Sequence, residues 1–175
     1  MTKTTRQKAE KRMTDPFAFF KQAATDAFNF LIENYDFEQL SSSVHPPECA
    51  LKCQNQTTGV TITYEWGGAL WIDLSCINDE ERYSVDILML GCQPERSTTE
   101  FHPSESESPN EYVKRVLQEY AQVLKSCGGE ILIGYFRIFP KLKNFSEEVL
   151  RQRNAEMFKT LSLPKRKKRK RNLSY

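Results

Sequence analysis

TITYEWGGALWIDL, residues 61–74, sets both tryptophans of the chain on either side of a glycine pair. Val60, Ile62, Tyr64 and Trp66 alternate with Thr61, Thr63 and Glu65; beyond the glycines, Leu70, Ile72, Leu74 and Cys76 alternate with Trp71, Asp73 and Ser75. Period-two alternation describes strands with one face buried and one wet. The stretch therefore reads as a β-hairpin, and its loop decides which side chains share a face. A two-residue Gly67-Gly68 loop pairs Trp66 with Ala69 and Ile62 with Asp73, mixing apolar and polar positions on both faces. A three-residue Gly67-Gly68-Ala69 loop pairs Trp66 with Leu70, Tyr64 with Ile72, Ile62 with Leu74 and Val60 with Cys76, so one face is apolar throughout. A one-residue slip would carry a strand's whole apolar set to the wrong side. The odd loop is therefore expected, with glycine supplying the positive φ. Trp66 then packs inside, and Trp71 looks outward with Thr61, Thr63, Glu65, Asp73 and Ser75.

Working outward, Cys49, Leu51 and Cys53 alternate with Ala50, Lys52 and Gln54 as an earlier strand that starts after Pro46-Pro47, and QNQTTG is the turn after it. Tyr83, Val85, Ile87 and Met89 supply a fourth strand after the turn INDEE. If Cys76 opposes Tyr83, Asp73 lies opposite Asp86 and Trp71 opposite Leu88. Before the strands, Asp15-Pro16 is a helix start, since Asp caps free N–H groups and proline suits the first helical position. Phe17, Phe20, Ala24, Ala27, Phe28, Leu31 and Tyr35 recur at helical steps up to the NYDF segment. After the strands, Ser108-Pro109-Asn110-Glu111 has capping-box spacing. Tyr112, Val113, Val116, Leu117, Tyr120, Ala121 and Leu124 form the apolar face of the helix that follows, which stops at Gly128-Gly129. EILIGYFRIF, 130–139, suits either a buried strand or a tight helical segment. Ser146 opens a last helix to about Leu161, with Val149, Leu150, Met157, Phe158 and Leu161 as its apolar face and Pro164 as its stop. The expected fold is α+β in two layers: a four-stranded antiparallel meander covered on one face by N- and C-terminal helices.

The net charge of +2 conceals a segregation. Residues 1–12 carry five basic groups and one acid, and Lys165, Arg166, Lys167, Lys168, Arg169, Lys170 and Arg171 form an unbroken basic run. The stretch between, 13–164, holds 13 basic and 22 acidic residues. Blocks of like charge cannot bury apolar area. The expected organisation is a disordered basic arm over 1–14, one α+β domain over 15–163 with a mobile acidic loop at 93–110, and a disordered basic tail over 164–175. Five cysteines without an export signal read as reduced thiols, and no run reaches the ~18 apolar residues of a membrane span. A cytoplasmic protein with no membrane partner is expected, or a nuclear one if the source is eukaryotic.

No catalytic signature stands out. His45 and His102 each sit beside proline without a partner at ligand or triad spacing. Cys49 and Cys53, four apart on a strand, are about 13 Å from each other, too far for one zinc ion. No metal or other cofactor is expected. Asn55, Asn144 and Asn172 head glycosylation triplets that matter only in a secretory pathway. The candidate site is the outer sheet face, where Glu65, Asp73 and Asp86 surround Trp71. An exposed indole in an acidic patch suits recognition of a protein partner, with a basic one fitting best. An enzyme built on the Asp73/Asp86 pair is the weaker reading. The basic run of 165–171 matches a nuclear-localisation or nucleic-acid-contacting tail, so nucleic acid is expected through the tail alone.

DAFNFLIENYDF, TGVTITYEW, LWIDL and EYVKRVLQEYAQVLKSCGGEIL together resemble, at the level of pattern, the small bacterial α+β proteins grouped with polymorphic-toxin immunity proteins. The resemblance spans roughly residues 17–160 and implies a non-enzymatic binding domain with no catalytic residues to transfer. The basic arm and tail depart from that pattern.

Overall fold

The computed structural model describes residues 15–79, 81–93, 103–104 and 106–161, the side chains of 153 and 156–161 excepted. The basic arm and tail expected at 1–14 and 164–175 lie outside the described residues, as does most of the loop expected at 93–110. The architecture is α+β. Helix α1 (Ala18–Tyr35) precedes strands β1 (Ser41–His45), β2 (Glu48–Gln54), β3 (Thr58–Glu65), β4 (Leu70–Cys76) and β5 (Arg82–Ser84); helices α2 (Val85–Cys92), α3 (Pro109–Cys127), α4 (Gly129–Leu132) and α5 (Phe139–Leu161) follow. The sheet is an antiparallel meander in the order β1-β2-β3-β4-β5.

Helix α1 starts at Ala18, with Phe17 rather than Asp15 at its N-cap and no side-chain cap, so Asp15-Pro16 precedes the helix instead of opening it. One Asp15 carboxylate oxygen accepts the Phe17 N–H at 2.9 Å, and the other accepts Lys21 Nζ at 2.8 Å. Phe20, Ala24, Phe28 and Leu31 are buried, and so are Ala23 and Phe30, which the stripe omits. Phe30 is covered because α3 runs alongside α1 and lays Lys125 over its ring, 4.7 Å from the centroid. Ser108 and Glu111 form the expected capping box at the start of α3, which ends at Gly128.

The parity of the hairpin is as expected: Cys49, Leu51, Cys53, Val60, Ile62, Ile72 and Leu74 are all buried on one face. The register differs. Tyr64 opposes Leu70, Ile62 opposes Ile72, and Val60 opposes Leu74. The loop has three residues, but they are Trp66-Gly67-Gly68: the Glu65 N–H donates to the Ala69 carbonyl at 2.9 Å, and the Gly68 N–H to the Glu65 carbonyl at 3.0 Å. Gly67 (φ 115°) and Gly68 (φ 98°) both take left-handed conformations, so both belong inside the turn. Moving the loop back one position shifts every pair by two, which keeps side chains on their faces but expels Trp66 from the ladder. Trp66 does not pack inside; it is 53% exposed.

Further expectations are corrected. The fourth strand ends at Ser84, because the Ser84 side chain accepts the Asp86 N–H at 3.1 Å and caps α2. Val85, Leu88 and Met89 then face the core at helical spacing. The extra strand is β1, a serine-rich edge joined to β2 across the cis Pro46-Pro47 turn. Residues 130–139 take the helical alternative: α4, a turn through Gly134, and the start of α5, which begins at Phe139 rather than at Ser146. α5 packs on α2 and β5, whereas α1 and α3 pair with each other. The covering layer is thus not simply the two terminal helices.

Candidate functional site

On the outer sheet face, cross-strand pairing lines up Ser41, Lys52, Thr61, Asp73 and Ser84 in one row, and Ser43, Ala50, Thr63 and Trp71 in the next. Trp71 lies directly opposite Thr63, which is buried, and is itself half-buried. His45, Glu48 and Glu65 form a third row near the hairpin tip. Glu65 and Asp73 are held apart, because Asp73 opposes Thr61, four residues and about 13 Å along β3 from Glu65. Lys52 shares the row of Asp73. Three carboxylates among Lys52, Arg82 and His45 make a mixed surface, less acidic than the sequence suggests.

Asp86 does not face Asp73 across a ladder. Ser84 takes that place, and Asp86 sits in the first turn of α2. Its carboxylate accepts the Tyr120 hydroxyl at 2.7 Å and the Ser84 hydroxyl at 3.2 Å. Burial raises Asp73 above the ordinary carboxylate value; the Asp86 charge adds to this and the Arg82 guanidinium opposes it. Tyr120 is pushed well up, by burial first and Asp86 second. Asp86 thus ties α2 to α3 in the described structure, a role invisible while it was read as a strand residue.

The feature that sequence reasoning missed lies at the other end of the sheet. The Trp66 ring stacks on Phe17, with centroids 5.6 Å apart and planes 19° apart. The Trp66 N–H donates to the Pro47 carbonyl at 3.0 Å. Phe17 also meets Tyr64 edge-on at 6.3 Å, and Phe20 stacks on Tyr64 at 5.2 Å. Beside this cluster a groove of about 430 Å³ runs between the hairpin tip and the start of α3, lined by Tyr64, Gly67, Gly68, Glu107, Pro109 and Tyr112 among others. Arg115 grips Glu107 with two hydrogen bonds of 2.8 Å and lies 5.6 Å from the centre of the Tyr112 ring. That grip holds Glu107 below the usual carboxylate range, while burial raises Tyr112. The available signal was the glycine pair after an aromatic residue, a tip with no side chains to fill the space beside Tyr64.

These walls offer aromatic faces, backbone and one neutralised carboxylate. Such a lining suits holding an apolar side chain rather than activating a nucleophile. Cys49 and Cys53 lie within the core, where burial raises Cys49 and pushes Cys53 up to about 12. His45 is exposed on β1, and His102 lies outside the described residues. Among the described residues no group of three or more His, Cys, Asp or Glu could hold a metal ion, and no helix is long and apolar enough to cross a membrane. The tail residues Lys165 to Arg171 lie outside the described residues. No protein-family model, curated protein or solved structure matches the chain.

Proposed function

We propose that the chain is a non-enzymatic protein-binding domain, and that its contact surface centres on Trp66 and the groove beside it. The observation that carries this reading is an indole left 53% exposed while its ring is pinned on the buried Phe17. A rigid, part-exposed aromatic next to a concave apolar wall is the usual form of a binding hot spot, because little side-chain entropy remains to be lost. Glu48 and Glu65 at the near edge of the sheet favour a partner segment with an apolar side chain and basic neighbours. Trp71, Asp73 and the open face extend that surface away from the tip; Asp86 belongs to the helix packing behind it. An immunity-like role, with a basic toxin domain as partner, is one setting for such a surface. A second reading, nucleic-acid association or nuclear targeting, rests on the run Lys165 to Arg171.

Selection of a random phage-displayed peptide library on the full-length protein tests the first reading. Recovered peptides should carry an aromatic residue or proline beside Lys or Arg, and Trp66→Ala and Tyr112→Ala should weaken them at least tenfold in proteins of unchanged circular dichroism. A selection without enrichment, or equal binding by both variants, overturns it.

A further inference from the structure

The groove beside Trp66 is walled by aromatic rings whose polar tips are unpaired. Tyr64 and Tyr112 line it, and Trp66 adjoins it with its ring pinned on Phe17. Among the described residues, nothing pairs with the two tyrosine hydroxyls or the Trp66 indole Nε1–H. The carboxylate in the lining, Glu107, is already held by Arg115 through two bonds of 2.8 Å. The site thus offers hydrogen-bond donors set on aromatic faces. Backbone chemistry narrows what it can take. A strand would need an open sheet edge, and β3 and β4 are both interior strands. A helix spends its carbonyls on its own N–H groups and would leave these donors unmet. A polyproline II segment has no internal hydrogen bonds, so its carbonyls face outward, and its prolines carry no N–H that needs an acceptor. Its pyrrolidine rings pack on aromatic side chains.

Charge narrows it further. Glu48 and Glu65 stand directly opposite each other across β2 and β3, Glu65 next in the chain to Trp66, and neither has a cationic partner among the described residues. Like charges so placed repel, and a cation between them removes the cost. The Gly67-Gly68 tip beside them has open space, an added Cβ meeting nothing within 4 Å, so a second chain can cross it. We propose that the groove binds a polyproline II segment, its prolines against Tyr64 and Tyr112 and an arginine or lysine at one end against Glu48 and Glu65. The ligand class rests on the Trp66 surface being a binding site. The tyrosine hydroxyls and the indole Nε1–H donate to the segment's carbonyls. Such a segment is already extended before it binds, so little backbone entropy is lost. The contact at Glu48 and Glu65 lies at an exposed edge, so affinity falls as salt rises.

Calorimetric titration of the full-length protein with three synthetic peptides of equal charge tests this. Each begins with two arginines, followed by eight prolines, by an alternating alanine-leucine run that favours helix, or by an alternating valine-threonine run that favours strand. The proline peptide should bind at least tenfold more tightly than the other two. Tyr64→Phe and Tyr112→Phe keep the rings and lose the hydroxyls. Each should weaken the proline peptide roughly three- to tenfold, the effect of one neutral hydrogen bond, with unchanged circular dichroism. Replacing Glu48 and Glu65 together by Gln should weaken it and flatten its salt dependence. Equal or tighter binding of either comparison peptide, full affinity in both phenylalanine variants, or a dimer of the protein that bars all three peptides overturns the proposal. If library-selected peptides bind through Trp66 while the proline peptide does not, the ligand class falls and the binding surface stands. If no peptide of either set binds, both fall.

Discussion

Asn55 shows how much one side chain can join. Its amide Nδ2 donates to the Tyr35 carbonyl at 3.0 Å and the Leu132 carbonyl at 2.8 Å, while Oδ1 accepts the Thr57 and Thr58 N–H groups at 3.0 and 2.8 Å. Backbone N–H groups only donate and carbonyls only accept, so the amide orientation is fixed by its partners. The end of α1, the β2–β3 turn and α4 meet on this one residue, and the Thr58 hydroxyl adds a 2.7 Å bond to the Ile131 carbonyl. Asn55→Asp keeps the acceptor, loses both donors and points a carboxylate oxygen at two carbonyls. Equilibrium urea unfolding should show a loss of about 2–4 kcal/mol. In the sequence Asn55 is one turn residue among QNQTTG; nothing local announces that two distant carbonyls need its donors.

At the scale of elements, alternation and capping were legible and register was not. Parity survives a two-residue shift, so the apolar face of β2, β3 and β4 could be read while the partner of each residue could not. What set the register was the left-handed backbone at Gly67 and Gly68, where an added Cβ would meet nothing within 4 Å. Gly67→Ala should therefore cost about 1–2 kcal/mol in a thermal unfolding series, from backbone strain alone. A much larger loss would show that the tip is packed. The exchange of a fourth strand for α2 has a similar origin. Tyr83, Val85, Ile87 and Met89 fit a strand, but Val85, Leu88 and Met89 fit a helix equally well, and the Ser84 cap favours the helix. Strand β1 was hidden because its SSSVH sequence is exposed at the sheet edge and has no apolar alternation to display.

For the whole molecule, charge is divided between the stretch 13–164, with 22 acids against 13 bases, and the basic run at 165–171. If the tail contacts nucleic acid, the full-length chain should be retained on duplex DNA, with log affinity falling against log salt at a slope of roughly −6 or shallower. Removing residues 165–175 should abolish that retention and leave selected peptides bound at the Trp66 groove. Salt-insensitive retention, or its survival without the tail, counts against that role. The α+β class, the buried faces of β2 to β4, the capping box of α3 and the segregation of charge were all present in the sequence, because each follows from contacts or periodicities within a few residues. The exposed indole, the place of Asp86 beside Tyr120 and the joining role of Asn55 were decided only by tertiary structure. Each depends on which distant element comes to rest alongside, and a short-range pattern does not encode that choice.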